Sequence, residues 1–218
     1  MLSYRNSPSD ADAPPEPTKI VCVGRNYRRH AEELGNAVPE EPLIFLKPPS
    51  ALCQPGEPIC LPPQSEEVHH EAELAVVIGR RASRIDAAEA DDYIAGYTCA
   101  NDVTARDLQR ADKTFTRGKG FDTFCPVGPA LVTPEAFDPA DHTIECRVDG
   151  QQRQSSPLDD FIFPVPTVLA YISDIMTLEP GDLVLTGTPA GVGPIEAGQR
   201  VDVEIDGIGT LTNPVVDR

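Results

Sequence analysis

The sequence predicts a β-rich α+β fold, a mixed sheet with short helices at its periphery. Short apolar runs of strand length recur along the chain, each followed by Gly, Pro, Asn or Asp. Helical spacing of apolar residues is extended only around 166–176, and the other helical stretches are short. Many short strands with few short helices point away from a doubly wound sheet.

Residues 1–18 are rich in Pro, Ser and Asp without hydrophobic periodicity and read as a flexible arm before one domain, 19–218. Ile20–Val23 is a short buried strand ending at Gly24, followed by a helix from about Arg28 to Leu34, stopped by Gly35-Asn36. Leu43–Lys47 is a strand, and the prolines between 48 and 63 make a stiff, strand-poor wrap over the core. The run Leu74–Ile78, closed by Gly79, is a strand buried on both faces. Asp86 with Glu89 reads as a capped short helix to Asp92. Tyr93–Ala100 is a second buried strand, Thr104–Ala111 a helix, and 112–128 a glycine-punctuated loop. Thr143–Val148 and Gln151–Ser155 flank Asp149-Gly150 as a hairpin. Pro166 is a first helical residue, with Val168, Leu169, Ile172, Ile175 and Met176 on the core face. Strands at 183–186, 200–205 and 209–215 close the chain.

A formal net charge of −17 argues against nucleic acid or an anionic membrane as partner. No apolar run is long enough to span a bilayer, and the N-terminus lacks the apolar segment of a signal peptide. The six cysteines form no C-x-x-C pair and read as reduced thiols of a cytoplasmic protein.

Chemistry concentrates around the Leu74 strand. Glu71 and Glu73 stand at its head, about 6.6 Å apart on one face. Two like charges entering a core repel and are poorly solvated, and a divalent cation between them removes both costs; the alternative is a later strand start with both glutamates in water. Asp102 follows the second buried strand, as a third hard oxygen donor suited to Mg²⁺ or Mn²⁺ or as a helix N-cap. His30 and Glu33, three apart, share a helix face and form either a base with its orienting carboxylate or a solvated pair. His69 and His70 point oppositely on a strand and cannot serve one site. Lys119 is either solvated or an electrostatic stabiliser of a developing oxyanion. Arg106 and Gln109 share a helix face beside the metal position, where Arg106 can pair with a substrate carboxylate. Thr186–Gly193 is no P-loop, but its backbone N–H groups can hold a carboxylate.

Taken together, Val23-Gly24-Arg25-Asn26-Tyr27 with His30 and Glu33, Phe45-Leu46-Lys47-Pro48-Pro49-Ser50, His70-Glu71-Ala72-Glu73-Leu74, Asn101-Asp102-Val103-Thr104-Ala105-Arg106-Asp107, Lys119-Gly120-Phe121-Asp122, Pro180-Gly181-Asp182 and Thr186-Gly187-Thr188-Pro189 resemble, in order, the fumarylacetoacetate hydrolase superfamily. The likeness is greatest to its short single-domain acylpyruvases and oxaloacetate decarboxylases. The resemblance implies a mixed β-sheet roll, a homodimer, and one Mg²⁺ or Mn²⁺ per chain held by Glu71, Glu73 and Asp102. It implies a catalytic dyad of His30 and Glu33, Lys119 as stabiliser, and substrate contacts from Arg25, Arg106, Gln109 and Thr188. The expected activity is hydrolysis of a C–C bond in an acylpyruvate such as fumarylpyruvate or acetylpyruvate, expelling pyruvate as its enolate. Oxaloacetate decarboxylation and isomerisation of an unsaturated 2-oxo dicarboxylic acid use the same electrostatics, and a catalytically silent 2-oxo acid binder is the reading from another class. A zinc hydrolase is disfavoured by the absence of soft-ligand spacing. Where many relatives carry Pro-Trp before the lysine, this chain reads Thr114-Phe115-Thr116-Arg117-Gly118 and has no tryptophan, which bears on the preferred acyl group.

Overall fold

A computed structural model describes residues 14–28 and 38–218. In chain order its strands are β1 (Ile20–Gly24), β2 (Leu43–Lys47), β3 (Leu52–Cys53), β4 (Ile59–Leu61), β5 (Val68–His70), β6 (Ala72–Ile78), β7 (Ile94–Asn101), β8 (Thr104–Ala105), β9 (Cys125–Val132), β10 (Thr143–Val148), β11 (Gln151–Pro157), β12 (Leu183–Leu185), β13 (Gly193–Pro194), β14 (Arg200–Ile205) and β15 (Gly209–Asp217). The α-helices are α1 (Arg106–Ala111), α2 (Thr116–Lys119) and α3 (Val165–Ile175). Seven strands form a mixed sheet in the order β2-β1-β12-β6-β7-β9-β3, with β1 parallel to β12 and β3 parallel to β9. A five-stranded sheet, β11-β10-β14-β15-β4, shares its core, and β13-β5-β8 form a small third sheet. The β-rich α+β class is as the sequence predicts.

β6 shows why an unbroken apolar run was needed. Leu74, Val76 and Ile78 enter the core shared with the five-stranded sheet, while Ala75 and Val77 pack on the other face with Ile20, Cys22, Leu183 and Leu185. That second face is covered in part by Ala51 and Leu52, so the proline-rich stretch does wrap the core. It also holds two short strands, β3 and β4, whose partners lie far away in sequence at Cys125 and Val215. The hairpin β10–β11 forms as expected, and α3, which begins at Val165 with Pro166 one position inside it, faces the core through Val168, Leu169 and Ile172. Ile175, expected on that face, is 54% exposed, because the last turn of the helix runs past the edge of the core.

Local signals misled in four places. Asp86 caps nothing with its side chain, and residues 87–93 form a 3₁₀ helix. The helix expected from Thr104 starts at Arg106, because Thr104 and Ala105 pair with β5. The loop expected over 112–128 contains α2 and the first residues of β9. Thr18, placed in the arm, is tied to Asp182 through backbone and hydroxyl. The helix expected near 28–34 lies outside the described residues beyond Arg28. All six cysteines are free and five are buried.

Asp182 joins the start of β1 to the turn before β12. Its Oδ1 accepts the Thr18 N–H at 2.8 Å, the Thr18 hydroxyl at 2.8 Å and the Lys19 N–H at 3.1 Å. Its Oδ2 accepts the Glu179 N–H at 2.8 Å and pairs with the Lys19 ammonium. Burial pushes this carboxyl up, but the Glu179 N–H, Lys19 and Thr18 outweigh burial and hold it below the ordinary range. A depressed folded-state pKa means the contribution is complete above the unfolded value of about 4 and is lost as pH falls through the folded one. Asp182→Ala is therefore expected to cost about 3 kcal/mol at pH 7 in urea unfolding, shrinking in acid; a cost under about 1 kcal/mol would contradict this.

Candidate metal centre and active-site cavity

Glu71, Glu73 and Asp102 come together because β6 and β7 are antiparallel neighbours in a fixed register. Ala72 pairs with Asn101 and Glu73 with Ala100, and the Asp102 N–H donates to the Glu71 carbonyl at 2.8 Å. The Glu71 N–H in turn donates to Asn101 Oδ1 at 2.9 Å. The two glutamates therefore share the β6 face of Ala75 and Val77, and Asp102 meets them at the β7 end. One carboxylate oxygen from each lies within 4.8 Å of the others, and all three residues are buried. The solvated-glutamate alternative is thus wrong, and so is the N-cap reading of Asp102, since the residue before α1 is Ala105 and no side chain caps it.

Three buried cations interleave with the acids. Lys119 Nζ lies 2.7 Å from Glu71 Oε2 and 2.5 Å from Asp102 Oδ2. Lys47 Nζ lies 2.5 Å from Asp102 Oδ1 and donates to the Val103 carbonyl at 3.2 Å. Arg106 pairs with Glu71 and donates to Gln109 Oε1 at 2.6 Å. Burial pulls the Lys119 ammonium down, yet the Asp102 and Glu71 carboxylates more than reverse this and keep it charged. Glu73 differs from the other two acids: its Oε2 accepts the Gly187 N–H at 2.7 Å and it makes no ion pair among the described residues. Burial, then repulsion from Asp102, pushes its carboxyl well above the usual range.

The triad opens on a cavity of about 350 Å³, to which Arg25, Arg106, Gln109, Lys119 and Thr188 all contribute. Leu43, Phe45 and Phe115 supply apolar wall, the two rings meeting edge-on at 5.2 Å. Arg25 turns the chain out of β1 with left-handed backbone, φ +60°. Next to it Asn26 donates to the Thr186 carbonyl at 2.8 Å and accepts the Phe163 N–H at 2.8 Å, pinning this turn to the loop after β12. Gly187, at φ +99°, sits where a Cβ would lie 2.7 Å from that of Asn26. All the expected site residues except two are thus at one cavity; His30 and Glu33 lie outside the described residues. Arg106 and Gln109, expected to face substrate, are already bonded to each other and Arg106 to Glu71, so their first task is to hold the triad. His69 and His70 do point apart, His69 toward Glu67 and His70 into the interior.

The sequence reading missed Lys47 as a site residue, although alternation along β2 puts it in phase with Leu43 and Phe45, both of which line the cavity. The residues fit a divalent cation: three hard oxygens converge, and one of them, Glu73, is a buried carboxylate that pairs with no cation among the described residues.

The structure is a strand-rich roll carrying a buried acidic triad that could hold a divalent cation, beside buried lysines. The chain belongs to the fumarylacetoacetate hydrolase family: residues 19–216 match the family model described as fumarylacetoacetate (FAA) hydrolase C-terminal. It is 49% identical over 195 residues to an oxaloacetate tautomerase of Arabidopsis thaliana, covering 88% of this chain and 87% of that one. It is 48% identical over 197 residues to an oxaloacetate decarboxylase of Dictyostelium discoideum, covering 88% and 90%. Among solved structures, fumarylpyruvate hydrolase from Pseudomonas aeruginosa in complex with Mn²⁺ and pyruvate superposes with a TM-score of 0.91 at 36% identity, covering 100% of this chain and 95% of that one. No helix among the described residues is long and apolar enough to cross a membrane.

Proposed function

We propose that the protein is a divalent-metal-dependent enzyme of 2-oxo acids whose reaction is hydrolytic cleavage of the C–C bond of an acylpyruvate. The observation that carries this is the charge arrangement at the triad. Three carboxylates and three cations cancel, so a divalent ion held by Glu71, Glu73 and Asp102 leaves the site at +2. Pyruvate leaving as its enolate is a dianion, the charge such a site stabilises. The bound metal would act as a Lewis acid toward the 2-oxo acid. Lys119 holds part of the negative charge that develops on the leaving pyruvate, in a place where water cannot screen it. The apolar wall of Leu43, Phe45 and Phe115 receives the acyl group. His30, oriented by Glu33, takes a proton from water; the hydroxide adds to the distal carbonyl, and the electron pair of the broken bond passes to the pyruvate portion.

A second reading rests on the two relatives that act on oxaloacetate. Loss of CO₂ from oxaloacetate forms the same enolate without a water nucleophile. Acetylpyruvate, fumarylpyruvate and oxaloacetate assayed side by side with Mg²⁺ rank the readings, and a dominant rate on oxaloacetate puts decarboxylation ahead of hydrolysis. His30→Ala is expected to lower hydrolysis about 100-fold or more while Mn²⁺ binding persists. An unchanged hydrolytic rate removes His30 from the mechanism.

A further inference from the structure

Thr188 reaches the cavity from the loop after β12, and its hydroxyl is held from behind by an amide on the other sheet. Gln154 is one of two buried side chains on β11, which is otherwise exposed, and only 1% of it is accessible. Its Nε2 donates to Thr188 Oγ1 at 2.7 Å and to the Pro189 carbonyl at 2.8 Å. Its Oε1 accepts the Ala72 N–H at 3.1 Å and lies 3.0 Å from His70 Nδ1. A backbone N–H can only donate and a backbone carbonyl can only accept, so Ala72 and Pro189 together fix which end of the amide is oxygen. His70 therefore carries its proton on Nδ1, the nitrogen that meets the amide oxygen. Thr188 Oγ1 is an acceptor from Gln154, which leaves its own proton to be given elsewhere, and among the described residues no acceptor takes it.

The loop and strand are clamped at this point. Gly191, at φ +99°, lies where a Cβ would come within 2.2 Å of the Arg153 carbonyl oxygen and 3.3 Å of Gln154 Cγ. Only glycine lets the loop lie on β11 this closely. The amide is also tied to Ala72, the residue between Glu71 and Glu73, so one side chain connects the metal-ligating strand to Thr188.

We infer that Gln154 is a positioning residue that fixes Thr188 as a hydrogen-bond donor into the cavity, selecting ligands that present an anionic oxygen there. This rests on the reading of the cavity as a 2-oxo acid site. Thr188 would meet the carboxylate of the acid, and a ligand offering a donor at that point would find a second donor opposing it.

The test uses the full chain with Mn²⁺ and oxalate, a dianion resembling the pyruvate enolate, read by calorimetry beside Mn²⁺ alone. Thr188→Val is expected to raise the oxalate Kd about tenfold or more, as for loss of a hydrogen bond to a charged group, and Thr188→Ser to hold it near wild type. Gln154→Leu is expected to raise it to a similar degree with Mn²⁺ affinity unchanged, and the double variant with Thr188→Val to be no weaker than the worse single one. In the Gln154→Leu background Thr188→Ser no longer differs from Thr188→Val. Gln154→Met keeps the volume and replaces Gln154→Leu if the latter loses its near-ultraviolet circular dichroism. An oxalate Kd unchanged by Thr188→Val, or effects of Gln154 and Thr188 that multiply, overturns the inference while leaving the 2-oxo acid reading intact. Wild-type protein that binds Mn²⁺ but no oxalate overturns both.

Discussion

Replacing Lys119 by Met is expected to lower kcat about 100-fold or more at saturating Mg²⁺, the range found for removing one preorganised charge from an oxyanion site. Lys119 is 2% exposed, shared by Glu71 and Asp102, and stands 5.2 Å from the centre of the Phe45 ring. Its charge is fixed before the reaction begins, so no solvent has to reorganise as the enolate forms. The same change leaves Glu71 and Asp102, two of the carboxylates proposed to hold the metal, less neutralised, so Mn²⁺ affinity should hold or rise as kcat falls. Arginine should not rescue the variant, because a planar fork cannot occupy the space of a compact ammonium between two carboxylates. A kcat within a few-fold of wild type would remove Lys119 from the mechanism.

Asp102→Ala should damage stability and metal binding together. Asp102 is the carboxylate partner of Lys47 and the second partner of Lys119, and all three are almost completely buried. Removing it leaves the Lys47 ammonium with the Val103 carbonyl as its one remaining acceptor among the described residues. Breaking one side of a buried ion pair costs about 3–5 kcal/mol, a large share of a typical domain's stability. Urea unfolding in metal-free buffer should show this loss. Added Mn²⁺ should then stabilise the wild type by mass action and leave the variant unmoved. Equal stability in metal-free buffer would mean that the lysines find other partners at no cost.

Much of this site could be read from the chain because its parts are local. The apolar run of β6 required burial on both faces, and the two-residue spacing of Glu71 and Glu73 required one face for both. The motifs then occur in one order. The features that escaped depend on distant partners. Asp102 precedes a helical stretch as a cap would, but Lys47 and Lys119, 55 and 17 residues away, claim both its oxygens. Gln154 sits among Gln151, Gln152 and Arg153, and nothing local separates it from them; only the loop laid across β11 does. Strands β3 and β4 are too short to carry a periodic signal and exist because β9 and β15 offer them edges. The 3₁₀ turn after Asp86 shows the reverse error, a capping pattern satisfied in sequence and unused in space.

A divalent cation shared by three acids underlies all of the proposed chemistry, and Glu73 tests it most cleanly. Its carboxylate is buried and makes no ion pair among the described residues, so Glu73→Gln changes the site's charge without stranding a lysine. Mn²⁺ titration followed by electron paramagnetic resonance should find one ion per wild-type chain and affinity lowered about 100-fold or more in Glu73→Gln, as expected when an ionised ligand is lost. Wild-type protein that binds no Mn²⁺, or a Glu73→Gln variant that binds it equally well, would contradict the claim.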